Sequence, residues 1–162
     1  MTKWEKCLEF HGHECLGLAI GYRQAVHALE ILGVTKSGDE ELLAIIETDA
    51  CGVDAVQVLT CCTIGKGNLI YKDAGKQALT LADRKTGQAV RIVLKPYVLK
   101  EDARFQEIRR QIADGSADPE ILSEWRKIQK ARVEEFLSLP VDELFKVTEV
   151  RMPEQEKARL FP

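Results

Sequence analysis

Leu42-Leu43-Ala44-Ile45-Ile46-Glu47-Thr48-Asp49-Ala50-Cys51-Gly52-Val53-Asp54-Ala55-Val56-Gln57-Val58-Leu59-Thr60 changes its periodicity halfway along. Residues 42–46 are a short, unbroken apolar run that ends at polar Glu47, Thr48 and Asp49, the pattern of a buried strand. Residues 54–60 instead place Ala55, Val58 and Leu59 three and four apart, the spacing of one helical face. A strand therefore hands over to a helix, and Cys51 lies at the junction, where reactive and ligating side chains are commonly displayed. Gly65-Lys66-Gly67-Asn68 then breaks the chain with residues that tolerate positive φ.

Toward the N-terminus, residues 2–10 suit a short helix with Trp4, Cys7 and Leu8 on one side, interrupted by His11-Gly12-His13-Glu14. Leu18, Tyr22, Ala25, Leu29 and Leu32 predict a helix over 15–32, with Gly33 as its stop. Toward the C-terminus, residues 77–82 and 89–94 alternate around Asp83-Arg84-Lys85-Thr86-Gly87, a hairpin signal. Two charged amphipathic helices are expected over 97–113 and 120–137, separated by Asp114-Gly115-Ser116 and Asp118-Pro119. Residues 144–150 read as a last strand and 153–162 as a polar tail. Strands and helices interleave without a strict βαβ rhythm, so the expected class is α+β, a mixed β-sheet flanked by several α-helices.

The bulk properties narrow the function. A chain of 162 residues with 45% apolar content can bury one core without staples, so one domain over 1–162 is expected. A net charge of −3 with interspersed signs argues against nucleic acid, which needs a concentrated basic surface. The start Met1-Thr2-Lys3-Trp4-Glu5-Lys6-Cys7 lacks the pattern of a secretory signal, and no stretch approaches the ~20 apolar residues of a membrane span. The expectation is a cytoplasmic protein. There, five cysteines predict thiols or metal ligands rather than a disulfide framework.

Two clusters carry the chemistry. In Phe10-His11-Gly12-His13-Glu14-Cys15-Leu16-Gly17, two imidazoles and a thiol fall within five residues, a donor set suited to Zn, Ni, Cu or Fe(II) rather than Mg or Ca. Gly12 and Gly17 let the backbone bend closely around an ion. A helix starting here would depress the pKa of Cys15. Any one of these residues alone more commonly caps or packs, but two of the chain's three histidines stand beside a cysteine. His27 reads as a structural or surface residue.

The second cluster holds Cys51 and, further on, Cys61 and Cys62. Adjacent side chains on a regular element diverge, so one of this pair should be buried while the other faces the site. Asp49 and Asp54 are candidates to orient ligands or carry protons, or to cap the helix. Neither spacing is a zinc-finger pattern, which favours an open site. Gly65-Lys66-Gly67-Asn68 resembles half a phosphate loop but lacks the Walker spacing and the Ser/Thr after its lysine, so no nucleotide site is assigned.

His11-Gly-His-Glu-Cys-Leu-Gly-Leu-Ala-Ile-Gly-Tyr-Arg23, Cys51-Gly-Val-Asp-Ala-Val-Gln57 and Thr63-Ile-Gly-Lys-Gly-Asn-Leu69 resemble the FmdE family, which takes its name from formylmethanofuran dehydrogenase. The resemblance implies an α+β core domain with a mixed sheet of about five strands. It further implies a frequent homodimer and a transition metal, zinc first, held by His13 and Cys51, then by His11, Cys15 and Cys62. Residues 145–150 and 156–162 resemble the segment that leads into that family's C-terminal zinc finger, and Pro162 ends the chain. Two departures stand out: Cys15-Leu16-Gly17 replaces Cys-Pro-Gly, and Cys61-Cys62 replaces Gly-Cys. The leading expectation is a metal-binding accessory subunit or metal carrier of anaerobic one-carbon or redox metabolism, with a molybdenum or tungsten oxidoreductase complex as partner. One alternative is a metal-assisted hydrolase acting on a small carbonyl or amide, with Cys51 and Asp54 as catalytic candidates and Asp54 or Glu14 moving the proton. The other is a thiol redox module pairing Cys51 with Cys62 or Cys15.

Overall fold

The computed structural model describes residues 1–96, 98 and 100–152. Helix α1 (Lys3–His11) starts at Thr2, whose hydroxyl accepts from the Glu5 N–H while the Glu5 carboxylate accepts from the Thr2 N–H, a reciprocal cap. It ends at Gly12, whose φ of +86° a side chain would resist, so His11 closes the helix and His13 departs in a new direction. Helix α2 (Leu16–Leu32) follows with Cys15 as its N-cap and left-handed Gly33 as its stop.

Strand β1 (Leu42–Ile46) passes through the Glu47–Cys51 loop into α3 (Gly52–Thr60), as the change of periodicity requires. The chain then returns as β2 (Leu69–Tyr71), parallel to β1 with Ala44 opposite Leu69. Three residues are too few for a periodic signal, so β2 is the strand that periodicity alone does not reveal. It makes the sheet mixed. The hairpin is β3 (Ala78–Asp83) and β4 (Gln88–Leu94), its turn held by Asp83, whose carboxylate accepts from the Lys85 N–H and the Thr86 hydroxyl.

Helices α4 (Ala103–Ala113), α5 (Pro119–Ser138) and the single turn α6 (Val141–Leu144) lead to β5 (Phe145–Arg151). The helix expected from 97 starts at Ala103, because Asp102 caps it by accepting from the Phe105 N–H at 2.7 Å; Tyr97 and Leu99 lie outside the described residues. Leu144 closes α6 rather than opening the last strand. The expected tail over 153–162 also lies outside the described residues.

The sheet order is β2-β1-β3-β4-β5, antiparallel except for β1 with β2, an α+β fold as expected. Alternate residues Leu42, Ala44 and Ile46 of β1, Leu79 and Leu81 of β3, and Val90 and Ile92 of β4 face α2 and α5 in the main core. Leu43, Ala82, Ala89 and Met152 form a smaller cluster on the opposite face. No helix of the described residues is long and apolar enough to cross a membrane.

The α2–α3 contact positions everything that follows. A Cβ on Gly21 would lie 2.1 Å from the Gly52 carbonyl oxygen, and one on Gly52 would lie 2.9 Å from the Gly17 carbonyl oxygen. Only glycine lets these two backbones meet, and their meeting brings the N-termini of both helices together.

Candidate metal centre

Three helix ends converge. His11 is the last residue of α1, Cys15 precedes α2, Cys51 precedes α3, and Gly12 turns His13 back toward them. One ligand atom each from His11, His13, Cys15 and Cys51 lies within 4.8 Å of the other three. Gly17 permits this in a way that sequence reasoning did not foresee. A Cβ there would stand 3.1 Å from the Cys51 Cβ, so the glycine admits the cysteine rather than bending around an ion.

His11 is the most constrained member. Its side chain is 10% exposed, its Nδ1 lies 2.7 Å from Asp54 Oδ2, and its Nε2 lies 3.6 Å from Cys15 Sγ. With Asp54 ionised, Nδ1 carries the proton and donates it to the carboxylate, which leaves the Nε2 lone pair directed at the cluster. Asp54 Oδ1 accepts from Gln57 Nε2 at 3.4 Å, so the orienting carboxylate is itself oriented. His13, by contrast, is exposed and touches the His11 ring at a centroid distance of 4.3 Å. Glu14 is exposed beside it, and Asp49 is exposed in the β1–α3 loop.

The thiols differ from expectation. Cys15 Sγ accepts from the Leu18 N–H at 3.4 Å, the helix-terminal contact that should favour its thiolate. Burial nevertheless pushes the Cys15 thiol above its ordinary pKa, and neighbouring Cys51 raises it further, outweighing the Leu18 and Gly17 N–H groups. The expected depression is overturned because partial burial disfavours the thiolate of a sulfur that already has a second sulfur beside it.

Cys62 is fully buried, its thiol pushed up to about 11 by that burial, and it is not among the four converging donors. Cys61 caps the far end of α3 at φ 56° and is not among them either. The reason is helix length: nine residues at 1.5 Å per residue separate the two ends of α3 by about 14 Å. Cys7 is buried within the core, and His27 stands apart beside Glu30 at 3.7 Å. The Gly65–Asn68 segment is a structural clasp. Asn68 is fully buried, accepting from the Thr63 N–H at 2.9 Å and donating to the carbonyls of Asp39 and Leu42, each at 3.1 Å.

Two imidazoles and two thiols match the donor preference of zinc and similar borderline ions. Tetrahedral bonds of ~2.0–2.3 Å place ligand atoms roughly 3.3–3.8 Å apart, which the observed spread reaches with side-chain adjustments of about 1 Å. The donor set therefore fits a transition metal.

The comparisons agree with the fold and the motifs. A protein of Archaeoglobus fulgidus described as a probable S-adenosyl-L-methionine-binding protein is 38% identical over 163 residues, which cover 94% of this chain and 43% of that protein. The chain thus spans less than half the length of that curated relative. The crystal structure of a tungsten formylmethanofuran dehydrogenase FmdE-like protein from Syntrophus aciditrophicus superposes with a TM-score of 0.60 at 29% identity, over 97% of this chain and 74% of that one. Residues 10–146, which contain both donor clusters and the whole sheet up to the start of β5, match the FmdE family, described as "molybdenum formylmethanofuran dehydrogenase operon", and the chain belongs to that family.

Proposed function

We propose that the protein binds one transition-metal ion, zinc first, through His11, His13, Cys15 and Cys51. In this reading it serves as an accessory subunit or metal carrier beside a molybdenum or tungsten oxidoreductase of anaerobic one-carbon metabolism. The observation that carries the reading is the convergence of the four donor atoms within 4.8 Å, drawn from two clusters 36 residues apart in sequence. Family membership supports the metabolic setting, and the matching structure's description as a tungsten formylmethanofuran dehydrogenase FmdE-like protein points the same way.

When bound, the ion would act as a Lewis acid on whatever oxygen or nitrogen occupies a free position. The chain's own residues do the rest. Asp54 orients His11 and holds the Nδ1 proton, leaving Nε2 as the donor. At the N-terminus of α2 the Leu18 N–H donates to the Cys15 sulfur, while Cys51 at the start of α3 makes no such cap bond and keeps its sulfur free for the ion. Exposed His13 is the donor that can be exchanged for a partner's ligand or a substrate, as a carrier or an open site would need. That exposure also supports the second reading, a metal-assisted hydrolase. In that version Glu14 is the freer proton carrier, because Asp54 is engaged by His11. The reading further places the protein in the cytoplasm as a homodimer.

The test is elemental analysis of anaerobically purified protein beside His13→Ala and Cys51→Ser variants, with mass in solution measured on the same samples. Near-stoichiometric zinc, lost in the Cys51 variant, is the expected result. A protein that carries no transition metal and takes up neither zinc, nickel nor cobalt sinks the proposal, and a mass near 18.2 kDa removes the dimer.

A further inference from the structure

Cys15 and Cys51 stand at the N-terminal ends of α2 and α3, and their sulfurs are two of the four donor atoms that lie within 4.8 Å of one another. The helix backbones meet just beyond them. A Cβ on Gly52 would lie 2.9 Å from the Gly17 carbonyl oxygen, and one on Gly17 would lie 3.1 Å from the Cys51 Cβ. A disulfide brings its two sulfurs to about 2.05 Å and tolerates only close approach of the chains that carry them. Here the chains are already in contact, so rotation about the two Cα–Cβ bonds is the movement that closes the gap. No cap bond holds the Cys51 sulfur against that rotation.

None of the other three thiols joins that group. Cys7 and Cys62 are fully buried, and Cys61 lies at the far end of α3, about 14 Å along the helix. Cys15 and Cys51 are both half-buried, which gives a small outside disulfide access to them. Two accessible thiols that face each other, with no third beside them, are the conditions for a single reversible cross-link. The same two sulfurs are half of the candidate donor set. A metal is held by thiolates, and a sulfur bonded to another sulfur no longer carries that charge.

We propose that Cys15 and Cys51 form a reversible disulfide and that this bond gates the metal centre: the two thiols can hold an ion and the disulfide cannot. The oxidant is a small-molecule disulfide, with glutathione disulfide as the probe. One cysteine thiolate attacks it, forming a mixed disulfide and expelling one glutathione thiolate. The other thiolate then attacks the protein-bound sulfur, forming the Cys15–Cys51 bond and expelling the second. The protein sulfurs lose two electrons, the glutathione sulfurs gain them, and the two thiol protons end on the two glutathiones. Starting from metal-bound thiolates, the same two exchanges free the ion and the protons come from solvent. Ion and oxidant compete for the same sulfurs, so each opposes the other. The gate rests on the metal reading; the disulfide itself does not.

The test exposes the purified protein, chelator-stripped and zinc-loaded, to glutathione disulfide in the absence of oxygen. The stripped protein is expected to lose two hydrogens in intact mass and two of its five alkylatable thiols, and to yield a Cys15–Cys51 linked peptide on digestion without reduction. That form should take up no zinc until a thiol reductant restores it, and the zinc-loaded protein should oxidise at least about tenfold more slowly. Cys15→Ser should stop at a stable glutathione adduct on Cys51, while Cys61→Ser should cross-link as the parent does. Persistent glutathione adducts on the parent, a different cysteine pair, or an oxidised form that holds zinc as tightly as the reduced one overturns the proposal. Zinc uptake by the reduced protein reports separately. Uptake without a cross-link overturns this inference and keeps the metal reading, whereas a cross-link without uptake overturns the metal reading and the gate with it.

Discussion

The two ends of α3 are bordered by sequences of similar appearance, each with cysteines, glycines and polar residues after or before a strand. At the N-terminal end, Cys51 meets Cys15, His11 and His13, four donor atoms that converge on one another. At the C-terminal end, Cys62 is buried, Asn68 places three hydrogen bonds on its neighbours, and Ser37 N–H donates to the Thr60 carbonyl. The difference lies in where polar capacity is directed. One end leaves lone pairs facing a common point, while the other consumes its polar groups in tying the loops at 37–42 and 63–68 together. Chemistry-bearing residue types do not distinguish a site from a clasp; the partners of their atoms do.

The sharpest way to break this comparison is Cys51→Ser. It should abolish stoichiometric metal binding, read by elemental analysis, and leave the urea midpoint of metal-free protein nearly unchanged. A fold lost with the cysteine would make this end structural too. Asn68→Ala should do the reverse. Losing three hydrogen bonds, the one to the Leu42 carbonyl buried, and leaving the Thr63 N–H without its acceptor predicts a loss of about 2–4 kcal/mol in urea unfolding with metal stoichiometry retained. Loss of metal in that variant would mean the clasp sets the site's geometry from a helix length away.

Asp54→Asn sharpens the comparison within the site. Removing the carboxylate that orients His11 should weaken zinc affinity about 10–100-fold, measured by competition with a chromophoric chelator, while stoichiometry at saturating zinc persists. An unchanged affinity would assign Asp54 to the helix alone.

The smallest effect belongs to Glu41, on the clasp side. Its carboxylate accepts from the Asp39 N–H and the Ser37 hydroxyl, and these bonds hold its pKa down at about 2, from an ordinary 4.5. A folded pKa below the unfolded one means the stabilisation is complete above about 4.5 and fades as pH falls toward 2. Glu41→Gln should flatten that part of the stability profile and change nothing at neutral pH relative to its own plateau, as followed by urea midpoints across the acid range.

Much of this was open to sequence reasoning for definite reasons. The strand before Cys51 and the helix after it, the hairpin around Asp83 and the cap at Gly33 are local consequences of period, turn chemistry and left-handed glycine. The donors of the first cluster share five residues, so their proximity needed no fold. Asp54 was legible as a residue that caps or orients, but not which. Gly21 was missed. A signal existed in the four-residue spacing of Gly17 and Gly21 along one face of α2, which marks a close approach, although nothing in it names Gly52 as the partner.

The sequence by itself determined every element but β2 and the single turn α6, together with the donor types and the α+β class, because helical and strand periods, caps and turn residues act over a few neighbours. Only the tertiary structure decided that Cys51 joins the His11–Cys15 cluster while Cys62 does not, that burial raises the Cys15 thiol, and that Gly17 is there to admit Cys51. Those outcomes depend on how α2 and α3 cross, and the crossing is set by backbone atoms meeting at glycines far apart in the chain.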